Sequence, residues 1–192
     1  MKYIIVAEPT TEPITIDEAK QFLRLLPDDN SEDNFISGLI AAAREYCENF
    51  TGRALATQTI MLYLDSIPSE VEVPMPPLQS VDKIEVIDAD KAGHELIADT
   101  DYMIDSGEIS SIIFTASAQE VAAHLYPINP VQIICTVGYD ADIPVGIKQA
   151  MLLLVAHWYE NREAVATNGE VGERIALGVR SLCLQYKIAR WC

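Results

Sequence analysis

The stretch His157–Glu163, which reads HWYENRE, carries the side chains of this sequence that look most suited to chemistry. His157, Glu160 and Glu163 are spaced i, i+3 and i+6, and histidine together with carboxylates can bind a transition metal. A helical zinc motif of the HExxH type, however, needs two histidines one turn apart on one face. This stretch has one histidine, and Glu163 is rotated off its face. The pattern therefore favours a polar helix end, with Arg162 as a counter-charge to the helix dipole.

A second candidate is Asp105, which lies in the tripeptide Asp105-Ser106-Gly107. That tripeptide carries the catalytic carboxylate of aspartic proteases, whose chemistry needs two such aspartates sharing one proton. The sequence has no second copy, and Glu108 stands where a small residue is usual. The pattern favours a β-turn, and a dimeric acid protease remains a remote alternative.

Other catalytic patterns are missing from the sequence. It contains no Walker-type phosphate loop, no GxGxxG fingerprint and no GxSxG nucleophile motif. The four cysteines (Cys47, Cys135, Cys183 and Cys192) include no CxxC pair, so free thiols in a reducing compartment are expected. We therefore expect no enzyme activity, no cofactor and no metal.

The elements that would position these residues begin with two helices. Thr15 and Glu18 form a capping box that opens a short helix from Ile16 to about Leu25. Ser31 or Asp29 is expected to cap a second, amphipathic helix that ends at Gly52. Its predicted apolar stripe consists of Phe35, Leu39, Ala43, Tyr46 and Phe50, flanked by Ile36, Ile40 and Cys47.

The centre of the chain has the texture of β-structure. Ile60, Leu62 and Leu64 alternate with more polar neighbours, which indicates a strand. Further strands are predicted in SEVEV, KIEVI, DYMID, SIIFT and VQIICTVGY, with a turn over Asp90–Gly93. The segment ASAQEVAAHLYP is compatible with a short helix or a loop.

A third helix is predicted from Pro144 to about Glu163, and a last helix from about Val179 to Ala189 after the polar loop TNGEVGE. Seven consecutive apolar residues, Ala150–Ala156, cover the whole circumference of the third helix. A helix that is apolar all round must be buried all round. Either this small chain buries the helix alone, or a neighbouring subunit covers part of it.

These elements predict an α+β fold: a small α-helical bundle of about four helices with a β-rich insertion between the second and third helices. The expected organisation is one structural domain, with a helical module in residues 1–54 and 144–192 and the β-rich insertion in residues 55–143.

The charge is unevenly distributed along the chain. Residues 51–144 hold 3 basic and 15 acidic residues, whereas residues 145–192 hold 6 basic and 4 acidic ones. Most of the surface should therefore repel the phosphates of nucleic acid. The net-positive C-terminal segment is the part expected to dock on an acidic partner. The N-terminus lacks the pattern of a signal peptide and no apolar run is long enough for a membrane helix, so we expect a cytoplasmic protein without a membrane partner.

Several segments, in this order, resemble the head–tail connector proteins of tailed bacteriophages, also called adaptor or head-completion proteins. The most specific are AAAREYCENFTGRAL and IKQAMLLLVAHWYENREAV. ITIDEAKQFLRL precedes the first of these, and LYLDSIP and VPMPPLQSVDKIEVIDADKAG lie between the two. The resemblance covers most of residues 14–165. The link LRLLPDDNSEDN is longer and more acidic than usual, and the last helix matches weakly.

The resemblance implies structural work. Such proteins form a ring of about a dozen copies under the portal at the head–tail junction of the virion, having been made in the host cytoplasm. The ring extends the DNA channel, through which DNA passes without specific binding, and offers a surface to a tail or stopper protein. Another neck or tail-completion protein, or a DNA-packaging accessory protein, is the alternative. The residues expected at a subunit or portal interface are Leu153, Trp158, Tyr159, Arg162, Arg180, Lys187, Arg190 and Trp191.

Overall fold

The computed structural model describes residues 1–121, 125–140, 143–162 and 169–188, and the side chains of these residues other than 169–176. The chain divides into two compact units that alternate along the sequence. We call Met1–Thr10 with Ala56–Asp140 the sheet unit, and Thr11–Leu55 with Ala141–Cys192 the helical unit. In the described residues, five helices accompany strands that all pair antiparallel. The expected mixture of α and β structure is confirmed.

The sheet unit contains two antiparallel sheets. The larger one has the strand order β1 (Lys2–Ala7), β2 (Gln58–Leu64), β8 (Val131–Val137), β4 (Leu78–Ile87) and β5 (Gly93–Glu95). The smaller one has the order β3 (Glu70–Glu72), β7 (Ser111–Phe114) and β6 (Tyr102–Asp105), and it is followed by helix α3 (Ala116–Val121). The segment ASAQEVAAHLYP therefore begins as a short helix.

The core of the sheet unit lies under one face of the larger sheet. Leu62 on β2 pairs with Ile133 on β8, which in turn pairs with Ile84 on β4, and all three side chains are fully buried. Along β2 and along β8, the residues that alternate with the buried ones point to the opposite face of the sheet and are half-buried. The alternation predicted around Ile60, Leu62 and Leu64 is thus confirmed. Ordinary strand pleating produces it, because successive side chains point to opposite faces.

The turn predicted over Asp90–Gly93 connects β4 to β5. The Asp88 carboxylate organises it by accepting hydrogen bonds from the backbone N–H groups of Asp90 and Ala92, both at 2.9 Å. Its other oxygen lies 2.9 Å from Nε2 of His94 on β5. The pKa of Asp88 is lowered, first by this contact with His94 and then by the backbone donors. The hairpin is held by its own side chains.

Strand β1 was not predicted from the sequence. It pairs along β2, with Tyr3 opposite Leu62 and Ile4 opposite Met61, and so the first residues of the chain belong to the sheet unit. All six of its residues are exposed. Five consecutive apolar residues, Tyr3–Ala7, bounded by Lys2 and Glu8, fit a short strand as well as a short helix, so periodicity could not assign this segment.

The helical unit contains α1 (Ile16–Leu23), α2 (Asp33–Thr51), α4 (Val145–Glu160) and α5 (Gly169–Leu184). The predicted capping box is confirmed: the Glu18 N–H donates to Thr15 Oγ1 at 3.1 Å, and the Thr15 N–H donates to Glu18 at 3.0 Å. Helix α1 ends two residues earlier than expected because Arg24 adopts the left-handed conformation that closes a helix, with φ of 58°.

Helix α2 ends at Gly52, as predicted, with φ of 75°. The expected caps Ser31 and Asp29 were wrong. The residue preceding the helix is Glu32, which makes no side-chain cap, and the Asp29 carboxylate instead accepts from the Ser31 N–H at 3.0 Å. The buried stripe is also shifted by one residue from the predicted one. Its apolar members are Ile36, Ile40, Ala43 and Cys47.

Helix α5 begins at Gly169 rather than near Val179 and ends at Leu184 rather than Ala189. The loop predicted at TNGEVGE is therefore wrong for Gly169–Glu173, while Thr167 and Asn168 lie outside the described residues. Glycines argue against a helix on propensity alone. Packing overrides that preference, because α5 lies against α2 and α4 and buries Val179 and Cys183.

Buried charges hold α1 and α2 together. Lys20 on α1 is 2% exposed, and its ammonium lies 2.6 Å from the Asp33 carboxylate and 3.0 Å from the Asn30 side chain. Arg44 on α2 joins Glu12 at 2.9 Å and Glu48 at 2.8 Å. A buried charge without a partner is costly. The Lys20 contacts therefore fix how the acidic link returns to α2, and the Arg44–Glu12 pair holds the segment before α1 against α2.

Candidate assembly interface

Helix α4 has one covered and one uncovered side within a single chain. Its buried residues are Ile147, Ala150, Met151, Leu154 and Val155. The opposite side of the helix, which we call the α4 outer face, consists of Val145, Gln149, Leu152, Leu153, Ala156 and Glu160, all exposed or half-buried. The helix is therefore not buried all round by its own chain.

The α4 outer face is mainly apolar. Val145 is 82% exposed, and Leu152, Leu153 and Ala156 are half-buried. Spacings of three and four residues place these side chains along one stripe of the helix. Leu153, which was predicted at an interface, belongs to this stripe. A mainly apolar stripe that its own chain leaves partly exposed is a candidate for a surface that another molecule covers.

A groove between α1 and α4 borders this stripe. It has a volume of about 560 Å³ and is lined by Glu18, Gln21, Phe22, Arg24, Lys148 and Leu152. Phe22 is 37% exposed, so the groove has an apolar wall beside Leu152. Lys148 Nζ donates to the Glu18 carboxylate at 2.6 Å, and this bond is the main reason why the pKa of Glu18 is lowered.

The end of α4 is tied to the start of α2. The Tyr159 hydroxyl donates to the carboxylate of Glu32, and Arg162 Nη2 donates to the other oxygen of that carboxylate at 2.5 Å. The Arg162 guanidinium lies 4.6 Å from the centre of the Phe35 ring and 4.9 Å from that of the Tyr159 ring. We call Glu32, Phe35, Tyr159 and Arg162 the Glu32 clamp.

The Glu32 clamp shifts the pKa of each ionisable member. The Tyr159 hydroxyl and then Arg162 lower the pKa of Glu32, because both donate to its charged form. The same bond raises the pKa of Tyr159, whose proton is held between the two oxygens. The pKa of Arg162 is raised by Glu32. Tyr159 and Arg162, predicted at an interface, thus have partners within the chain.

The remaining predicted interface residues are scattered. Trp158 is half-buried near the end of α4, and Arg180 on α5 is exposed. Lys187 is exposed, with its ammonium 5.3 Å from the centre of the Phe50 ring. Arg190 and Trp191 lie outside the described residues. Of the predicted interface residues, Tyr159 and Arg162 belong to the Glu32 clamp, and Lys187 contacts Phe50.

The sheet unit carries a second apolar surface on β1. Tyr3, Ile4, Ile5 and Val6 are each between 42% and 53% exposed. Ile4 pairs with Met61, which pairs with Ile134, so an apolar row crosses three strands on the outer face of the sheet. A long apolar edge strand is a ready template for pairing with another chain. The missed signal was the run YIIV, which is apolar on both of its faces.

The alternative chemical sites are not assembled by the described residues. Asp105 is exposed at the end of β6, opposite Ser111, and Ser106 and Gly107 lie in the bent connection to β7. His157 faces Asn161, whose side-chain amide donates to the His157 carbonyl at 2.8 Å, and Glu163 lies outside the described residues. The described part of the chain contains no group of three or more His, Cys, Asp or Glu residues that could hold a metal ion. Its helices are all too short or too polar to span a bilayer.

Comparison with known proteins gives matches over nearly the whole chain. The model of the family described as Head completion protein matches residues 12–181. No curated protein sequence matches significantly.

Solved structures of gene transfer agent (GTA) particles contain chains with the same fold. A chain from the neck of an empty GTA particle, computed with C6 symmetry, has a TM-score of 0.77 and 23% identity, covering 100% of this chain and 98% of that chain. A chain from the virion of a native GTA particle has a TM-score of 0.76 and 22% identity, with the same coverage. A chain from the neck of a native GTA particle, computed with C12 symmetry, has a TM-score of 0.64 and 20% identity, covering 98% of both chains.

Proposed function

The chain belongs to the head completion protein family, and from that premise we propose that it is a structural protein of the virion neck. In this proposal, copies of the chain form a ring at the head–tail junction, dock under the portal, extend the DNA channel and offer a surface for tail attachment. The role is mechanical rather than catalytic. The resemblance noted in the sequence is confirmed at the level of the family.

The observation that carries the proposal is the α4 outer face. Val145 and Leu152 expose apolar surface on the helix that is otherwise the centre of the helical unit. Leaving such side chains in water forgoes roughly 1.5 to 3 kcal/mol for each one that could be fully buried. A neighbouring copy that covers this stripe would recover that free energy.

A closed ring needs two different surfaces on each copy, because a head-to-tail contact joins one patch to another. The chain offers one apolar surface on each of its units: the α4 outer face and the exposed strand β1. Both are nearly free of charge, and β1 carries only Lys2. Copies of a chain with a net charge of −16 repel one another, so they should meet through their least charged surfaces.

The charge distribution supports the proposed DNA channel and portal contact. The sheet unit holds 15 acidic and 3 basic residues, which disfavours binding of phosphates. A wall that does not grip DNA lets it slide. On α5, Arg180 is exposed and available to an acidic surface of the portal.

The proposal also covers the architecture. We infer that the four helices of the helical unit form a bundle and that the β-rich segment is an insertion in it, between α2 and α4. The unit boundaries support this arrangement, because Ala56–Asp140 interrupts the helical unit between α2 and α4.

Locating the protein in particles tests the proposal. Virions carrying a tagged copy would be imaged by electron microscopy, and the mass of the purified chain would be measured with and without portal particles. We expect density at the neck and a ring that forms on the portal. Label found along the tail, or a protein present only during packaging, would favour an accessory role. Cleavage of a peptide substrate that is blocked by a pepstatin-type inhibitor would favour the protease alternative.

A further inference from the structure

Two thiols from distant parts of the sequence meet in the core of the helical unit. Cys47 on α2 and Cys183 on α5 have their sulfur atoms 3.8 Å apart, and both side chains are fully buried. Sulfur atoms at this separation are in van der Waals contact. The pairing joins residues 136 positions apart, so it is a product of the fold rather than of a local motif.

We propose that Cys47 and Cys183 are an oxidation site that forms a disulfide bond between α2 and α5. The thiols stay reduced in a reducing compartment and become linked when the folded chain meets a small disulfide oxidant. If the chain acts in a virion neck, as proposed above, that change would follow release of the particle from the reducing host cytoplasm.

The surrounding contacts hold the two cysteines in register. The Thr51 hydroxyl, one turn after Cys47, donates to the Cys47 carbonyl at 2.7 Å. The Ile188 N–H donates to the Thr51 carbonyl at 2.9 Å, and Arg53 Nε donates to the Tyr186 carbonyl at 2.6 Å. These bonds tie the end of α2 to the residues that follow α5. A disulfide needs the sulfur atoms about 2.05 Å apart, so bond formation requires the two side chains to rotate and the sulfur atoms to approach.

The reaction proceeds by two exchanges. The thiolate of one of the two cysteines attacks one sulfur of oxidised glutathione, which forms a mixed disulfide and releases one glutathione thiolate. The other cysteine then loses its proton and attacks the protein sulfur of the mixed disulfide, which releases the second glutathione. Two protein thiols are oxidised, and one small disulfide is reduced to two thiols.

The contact between the two sulfur atoms also affects their ionisation. The hydrogen bond between the thiols lowers the pKa of Cys183, whereas the same contact and burial raise the pKa of Cys47. Because both thiols are buried, the oxidant needs a local opening of α5, and linkage should be slow compared with that of an exposed thiol.

The test uses the full folded chain and oxidised glutathione. After incubation, remaining thiols would be alkylated under denaturing conditions, and the digested peptides would be measured by mass spectrometry. We expect a Cys47–Cys183 linked peptide, while Cys135, buried by itself in the sheet unit, is recovered alkylated. Alkylation of both Cys47 and Cys183 after exhaustive oxidation would overturn the proposal, as would linkage of either one to Cys135 or Cys192.

A stability measurement gives a second, independent readout. A cross-link that closes a loop of this length should raise the melting temperature, followed by the helical circular dichroism signal, by about 5 to 10 °C. Cys183→Ala should abolish the increase, and the matched control Cys135→Ala should keep it. An increase that survives Cys183→Ala would overturn the proposal.

Formation of the Cys47–Cys183 disulfide and binding to portal particles are measured in separate experiments. A chain that links Cys47 to Cys183 but never joins portal particles would contradict the proposed function and leave the oxidation site standing. A chain that joins portal particles but keeps both thiols free after oxidation would contradict the oxidation site and leave the proposed function standing.

Discussion

The Tyr159 hydroxyl donates a hydrogen bond to the carboxylate of Glu32, which joins the last turn of α4 to the residue before α2. Arg162 takes the second oxygen of the same carboxylate. Glu32 stands where a helix cap is expected, but it makes no side-chain cap to its own helix. The polar end of α4 therefore makes contacts within its own chain. The α4 outer face is the surface of this helix that stays open to a partner.

The Glu32 clamp predicts a pH dependence. Replacing Tyr159 by Phe removes the strongest influence that lowers the pKa of Glu32, so that pKa should rise toward its ordinary value. The measurement is an NMR titration of the carboxyl carbons. Tyr3→Phe, on exposed strand β1, is the matched control and should leave Glu32 unchanged. An unchanged Glu32 pKa in Tyr159→Phe would contradict the described bond.

The stability difference between wild type and Tyr159→Phe should be confined to a window of pH. A carboxyl group with a lowered pKa contributes above its unfolded pKa and loses that contribution as the pH falls through its folded value. A tyrosine with a raised pKa contributes below its unfolded pKa and loses that contribution as the pH rises through its folded value. The melting temperatures should therefore converge in acid and again in strong alkali. A constant difference across this range would show that the contribution of the Tyr159 hydroxyl does not depend on the ionisation of Glu32, and it would contradict this prediction.

Three consecutive leucines on α4, Leu152, Leu153 and Leu154, should separate folding from assembly. Leu154 is buried, and an aspartate there leaves an unpaired charge that costs roughly 3 to 5 kcal/mol, a large part of the stability of a domain. Leu154→Asp should therefore unfold the helical unit. Variants with Leu152→Asp or Leu153→Asp on the α4 outer face should have the circular dichroism spectrum of the wild type. They should no longer associate with one another on portal particles.

The control for the α4 outer face is Ser37→Asp, which places the same charge on an exposed position of α2. It should both fold and assemble. Sedimentation velocity and co-sedimentation with portal particles measure the outcome. Full assembly of Leu152→Asp would exclude this face as a subunit contact.

Strand β1 offers a test of the second apolar surface. Ile4→Lys places a charge in the middle of the exposed apolar row and should leave the fold intact because Ile4 is 50% exposed. We expect weaker association between copies, measured by light scattering over a concentration series. Ile60→Lys, at a fully buried position on the neighbouring strand, should unfold the sheet unit instead. Equal association of Ile4→Lys and wild type would remove β1 from the proposed interface.

The positive charge of α5 predicts the portal contact. Truncation after Gly178 is not a clean test, because it removes Val179 and Cys183 from the core. Arg180→Glu reverses an exposed charge without touching the core and should reduce binding to portal particles, with a weaker dependence on salt. Lys91→Glu, in the sheet unit, is the matched charge reversal and should bind as wild type does. Binding of Arg180→Glu that equals wild type at low salt would show that α5 does not face the portal.

Asp105 separates the structural role from the protease alternative. Asp105→Asn should leave virion yield unchanged, because the side chain is exposed at a strand end and its place in the turn does not need a negative charge. Plaque complementation measures this. A complete loss of plaques with a folded Asp105→Asn protein would revive a catalytic role for this carboxylate.

Local patterns were sufficient for much of the secondary structure. The capping box at Thr15 and Glu18, the stop at Gly52 and the alternation around Ile60 and Leu62 depend on residues close in sequence. Their physical causes are hydrogen bonds and side-chain directions within a few residues. The same is true of the acidic charge and of the apolar circumference of α4.

Long-range packing settled what those patterns left open. The side of α4 that one chain covers depends on where α2 and α5 lie. The face of α5 that is buried, with Val179 and Cys183, likewise depends on its packing partners. The pairing of β1 with β2, the capture of Glu32 by Tyr159 and the contact of Cys47 with Cys183 join residues more than fifty positions apart. A sequence pattern records the preference of each residue, whereas the partner it meets follows from how all the elements share one core.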